Sequence, residues 1–110
     1  MLYNGADKLK YSTVVLTADD VIPDERRQGY GTLVFNYPVN GIQNGAPDGI
    51  ALVNGAGSCI QFLSYVGAFT PLDGPCNGVL STNISVSENS SVADTSFKLV
   101  GNSVVYEDFY

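Results

Sequence analysis

The sequence contains no histidine and no tryptophan, and it sets only five Lys and Arg against eleven Asp and Glu. Each shortage removes a class of function. Without imidazole there is no Ser-His-Asp triad, no Cys-His dyad, no His-based metal site and no imidazole acid/base. A net charge of −6 argues against nucleic acid as a partner, because phosphate recognition leans on clustered Lys and Arg. An anionic membrane surface is disfavoured on the same ground. No apolar run approaches the roughly 20 residues that span a bilayer, so no membrane insertion is expected. The opening Met1-Leu2-Tyr3-Asn4-Gly5 lacks the charged and then apolar segments of a signal peptide.

What remains is well suited to ordered structure. The chain has 110 residues, 45% of them apolar, with seven Tyr and five Phe. That is enough for one domain over residues 1–110 with a modest core, and too apolar for a disordered chain. Only 15% of residues are charged, and Ser, Thr, Asn and Gly are abundant, as in exported proteins. Two sequons, Asn83-Ile84-Ser85 and Asn89-Ser90-Ser91, make Asn83 and Asn89 candidate glycan acceptors. Their closeness suits a Ser-rich strand edge equally well.

Cys59 and Cys76 bracket a segment rich in turn residues. An even pair in an export-like composition favours a disulfide, worth about 3 kcal/mol for a loop of this size. Two buried thiols in a cytosolic protein are the alternative. A metal site needs more ligands than these two residues can supply.

Short β-rich runs alternate with Gly, Asn, Asp and Pro punctuation. Strands are expected at Tyr11–Leu16, Gly31–Tyr37, Ile50–Val53, Cys59–Tyr65, Ile84–Val86, Ser96–Val100 and Val104–Tyr106. The polar stretch Ala18–Gln28 reads as a solvated loop, and Val39–Asp48 as a long turn-rich connection. Asn54-Gly55-Ala56-Gly57 reads as a hairpin loop. No stretch shows an apolar stripe at helical spacing. About six or seven short strands at this spacing imply an all-β sandwich or barrel.

Candidate chemistry is thin. Asp19, Asp20, Asp24 and Glu25 could offer oxygens to Ca²⁺, which takes about six to eight. They lack EF-hand spacing, and Arg26-Arg27 partly neutralise them, so a solvated face is the expected reading. Asp48, within Pro47-Asp48-Gly49, is a candidate ligand or acid, with the closing of its own turn the stronger expectation. Glycoside hydrolysis needs two carboxylates flanking a cleft. Glu88, Asp94, Glu107 and Asp108 are present, but no spacing pairs them. Tyr30, Tyr37, Tyr65, Tyr106 and Tyr110 could form a stacking platform for sugars or bases, against a core or rim role. No catalytic residue, metal or cofactor is expected.

The stretch Asn40-Gly41-Ile42-Gln43-Asn44-Gly45-Ala46-Pro47-Asp48-Gly49-Ile50-Ala51-Leu52-Val53 resembles the lamin-tail-like domains of secreted microbial proteins. Ile60–Tyr65 with Gly67, Asp73-Gly74-Pro75, Val86-Ser87-Glu88, Ser96–Gly101 and Tyr106-Glu107-Asp108-Phe109 follow in the family's order. The resemblance implies an immunoglobulin-like β-sandwich, a module without chemistry of its own that accompanies extracellular nucleases, phosphatases and surface proteins.

Two departures stand out. The cysteines are atypical of the family, which strengthens the reading of an added extracellular staple. The family's opening strands are also missing: its Leu-Tyr-Asn-Gly corresponds here to Leu2-Tyr3-Asn4-Gly5. A sandwich without its first strands exposes apolar core and unpaired backbone. The chain is then a fragment, a rearranged domain, or one completed by a strand from another chain. Head-to-tail donation of that kind makes filaments where the contacts do not close. The sequence thus points to a secreted, non-catalytic structural module whose partner is protein, first of all copies of itself. An accessory module of a secreted hydrolase or nuclease, contacting glycan or nucleic acid through its tyrosines, is the alternative.

Overall fold

The computed structural model describes residues 1–23, 31–45, 47–87 and 92. Their contacts gather into two compact units: Met1–Leu16 with Asn36–Glu88, and Thr17–Phe35 with Asn89–Tyr110. The first unit is all-β. It holds β1 (Leu2–Asn4), β2 (Leu9–Ser12), β3 (Asp48–Val53), β4 (Cys59–Tyr65) and β5 (Thr82–Asn83), and no helix occurs among the described residues.

These strands form one mixed sheet in the order β2-β1-β3-β4-β5. The β1–β2, β1–β3 and β3–β4 pairs are antiparallel, and β4–β5 is parallel. The β3–β4 hairpin is its centre. Ala51 faces Phe62 and Gly49 faces Ser64 across it, and the register shifts between Leu52 and Val53. Asn54 closes the loop with its side chain: Oδ1 accepts from the Ala56 and Ser58 amides at 3.0 and 2.8 Å.

The core is small and aromatic. Tyr3, Ala51, Phe62, Phe69 and Cys76 are buried together, with Met1, Val53 and Cys59 against them. Phe62 links the set, with ring centroids 5.3 Å from both Tyr3 and Phe69, and it meets Phe69 edge-on at 81°. Such tilted pairs place a positive ring edge on a negative face. Gly49 is required here because a Cβ would lie 2.7 Å from Phe62 Cε2.

The segment after β4 is pinned to the sheet. Cys59 and Cys76 form a disulfide. Beneath it, the Tyr3 hydroxyl donates to the Asp73 carbonyl and accepts from the Cys76 amide at 3.3 Å. Gly74 passes over that hydroxyl at φ +65°, and a Cβ there would stand 2.5 Å from it. The Ser64 and Ser81 hydroxyls share a buried 2.7 Å hydrogen bond, and Phe69 N–H donates to Ser81 Oγ. Every buried side-chain nitrogen and oxygen among the described residues is satisfied, as a stable interior requires.

The observed elements differ from the expected ones in specific ways. The expected strand Cys59–Tyr65 coincides with β4, and Ile50–Val53 lies within β3. The expected strand Tyr11–Leu16 is displaced: β2 ends at Ser12 because only that far does β1 supply a partner. Gly31–Tyr37 is not a strand. Its β-prone residues pair with no strand among the described residues, and propensity without a ladder does not make one. Ile84–Val86 gives way to β5 at Thr82–Asn83, where Leu63 and Ser64 offer parallel pairing. β1 was not expected at all. The expected strands at Ser96–Val100 and Val104–Tyr106 lie outside the described residues.

Candidate functional site

Two of the carboxylates singled out by sequence serve turns. Asp48 is buried, and its Oδ2 accepts from the Gly45 amide at 2.6 Å while Oδ1 accepts from the Gly5 amide at 3.3 Å. It ties the 45–48 turn to the turn after β1, which is the turn-closing role rather than that of an exposed ligand or acid. Asp20 accepts from the Thr17 amide and hydroxyl at 2.7 and 3.2 Å, again a local turn. Asp24, Glu25, Glu88, Asp94, Glu107 and Asp108 lie outside the described residues. Among the described residues, no three acidic or thiol groups converge on a point.

Of the tyrosines considered for a stacking platform, Tyr37 and Tyr65 are among the described residues. Tyr11, which sequence reasoning missed, and Tyr65 grip the backbone of Gln43. Tyr11 Oη accepts from the Gln43 amide at 3.0 Å, and the Tyr65 hydroxyl donates to the Gln43 carbonyl at 2.7 Å. Burial pushes the Tyr11 hydroxyl's pKa above its ordinary value; the Gln43 bond opposes this, and the nearby Asp48 and Tyr37 add to it. Tyr11, Tyr37 and Tyr65 are all half-buried. Tyr11 of β2 and Tyr65 of β4 hold Gln43 of the turn-rich connection onto the sheet. Tyr30, Tyr106 and Tyr110 lie outside the described residues.

The sheet has two edges, and they are finished differently. β5 is only two residues long, and it carries Asn83, which is exposed. The outer edge of β2 is closed over its first half. Leu72 N–H donates to the Lys8 carbonyl at 2.9 Å, and Lys10 N–H donates to Asp73 Oδ1 at 2.8 Å. Covering an edge in this way removes the free backbone groups that invite another chain. The cover stops there. Beyond Ser12 the chain runs on as Thr13-Val14-Val15-Leu16, which pairs with no strand among the described residues and is exposed, Val15 at 73% and Leu16 at 52%. β-Branched residues that would favour a strand thus sit beside a sheet edge with no ladder to join.

No family model matches the chain, and no curated protein or solved structure is similar to it. No helix among the described residues is long and apolar enough to cross a membrane.

Proposed function

We propose that this chain is a non-catalytic extracellular module that works by assembly, accepting a strand from another copy of itself along Ser12–Leu16. Its likeness to lamin-tail domains and their immunoglobulin-like sandwich belongs to the same reading. The observation that carries it is the edge of β2: capped by Leu72 and Asp73 at Lys8 and Lys10, then exposed and apolar from Thr13 to Leu16 with no cap among the described residues. An added strand would supply the missing ladder, with main-chain hydrogen bonds giving affinity and alternate side chains giving specificity. The disulfide and the low charge favour an oxidising compartment.

An accessory glycan- or nucleic-acid-binding module would want a flat, exposed aromatic row. The half-burial of Tyr11, Tyr37 and Tyr65, with two hydroxyls committed to Gln43, favours assembly over that alternative. Sedimentation velocity on the disulfide-intact chain tests the reading. Association should rise with concentration. Val15→Lys, at an exposed position that leaves the core alone, should weaken it by about tenfold or more, equivalent to ~1.4 kcal/mol. A chain that stays monomeric at the highest attainable concentration overturns the proposal.

A further inference from the structure

Asn83 combines a sequence motif with a position that the fold leaves open. It is the last residue of β5, the outermost strand on its side of the sheet. Its neighbours Ile84 and Ser85 are exposed with it. Among the described residues the backbone around it is anchored on the inner side: Asn83 pairs with Ser64, Ile84 N–H donates to the Ser64 carbonyl at 2.8 Å, and Val66 N–H donates to the Val86 carbonyl at 3.3 Å. The Asn83 side chain makes one hydrogen bond, in which Oδ1 accepts from the Ser85 amide at 3.0 Å. The amide nitrogen Nδ2 has no partner among the described residues, so a bulky group attached there displaces none of their contacts. Asn83 and Ser85 are also the first and third residues of an Asn-X-Ser sequon with Ile84 between them.

We infer that Asn83 is the acceptor of an N-linked oligosaccharide. The donor class is a polyprenyl-diphosphate-linked oligosaccharide, and the catalyst is a membrane transferase that recognises the Ser85 hydroxyl as part of the sequon. A bond forms between Asn83 Nδ2 and the anomeric carbon of the sugar. The bond from that carbon to the diphosphate oxygen breaks, and the diphosphate leaves with the electron pair. Nδ2 loses one proton, so charge and atoms balance, with no oxidant or reductant needed. The folded chain accommodates the product because the glycan projects from an exposed edge. There it also shields the free side of β5, the protection that short or covered edges otherwise provide. The inference does not depend on assembly at β2.

The test is intact-mass measurement of the chain secreted through a glycosylating eukaryotic pathway, with Asn89→Gln present throughout so that one sequon remains. The expected product is heavier than the polypeptide by a discrete glycan. Peptide N-glycosidase should remove that mass and leave Asp at position 83. Asn83→Gln and Ser85→Ala should each give the bare polypeptide mass, whereas Ser85→Thr should keep the glycan. Absence of free thiols in each variant reports that Cys59–Cys76 has formed and that secretion selected folded chain. A secreted, disulfide-intact Asn89→Gln chain at the bare polypeptide mass overturns the inference, as does a glycan that persists in Asn83→Gln.

Discussion

Tyr3 joins the sheet to the segment that lies over it. Its ring packs on Phe62 and its hydroxyl holds both Asp73 and Cys76. Tyr3→Phe keeps the packing and loses the bonds, and should cost about 1 kcal/mol in urea unfolding. Phe62→Ala removes the ring that contacts both Tyr3 and Phe69, and should cost about 3–5 kcal/mol in the same assay. The hydroxyl also sets a pH dependence. Burial raises the Tyr3 pKa above its ordinary 10.0; the Cys76 amide opposes this and Asp73 adds to it. The unfolded chain therefore ionises first as pH rises. Stability from this group is full below pH 10 and declines as pH climbs from there through the folded-state pKa. In Tyr3→Phe that alkaline decline should be shallower. None of this was visible beforehand, because Tyr3 looks like any aromatic near a turn. Its burial comes from residues some seventy positions away, a long-range fact that no local pattern encodes.

The elements that were legible are those whose signals are local. Asn54-Gly55-Ala56-Gly57 between two apolar runs marks a hairpin, and β3 and β4 lie on either side of it. The pairing of Cys59 with Cys76 was one of two readings, and the disulfide is the one observed. The illegible elements depend on partners. β1 is too short to announce itself, β5 exists because β4 offers a parallel ladder, and Gly31–Tyr37 shows the reverse, strong propensity with no ladder. Native-state hydrogen exchange should reflect this arrangement. The slowest amides are expected in β3 and β4, which pair on both sides, and faster ones in β5, which among the described residues pairs with β4 alone. The disulfide acts at the same scale. It closes a separation of 17 residues, and replacing both cysteines by Ser should lower stability by about 3 kcal/mol. Chemical denaturation of the variant against the oxidised parent measures it. The candidate site was read only in part. The tyrosines were noticed, but their grip on Gln43 was not, because which backbone group a hydroxyl reaches is settled by packing.

At the scale of the molecule, the described fold is a sheet whose order places β2 at one limit and β5 at the other. The loop that the disulfide pins to β4 also covers β2, since Leu72 and Asp73 belong to the segment between β4 and Cys76. Cutting the disulfide should therefore loosen the far edge as well. In the Cys59→Ser/Cys76→Ser variant, the amide of Lys10 should exchange faster along with those of 71–78, and limited proteolysis should strike that loop first. An unchanged Lys10 amide would show that the β2 cover holds without the staple.

Because the cover on β2 ends at Lys10, any contact made there uses one short stretch per molecule, and that bears on symmetry. If two molecules present Ser12–Leu16 to each other, they are related by a two-fold axis, each occupies that stretch of the other, and the complex is complete at two copies. If the stretch instead receives a segment from elsewhere on its neighbour, every addition leaves a fresh vacancy at the growing tip, and length is limited only by supply. The first case gives a molar mass that levels off as concentration rises; the second gives one that keeps climbing.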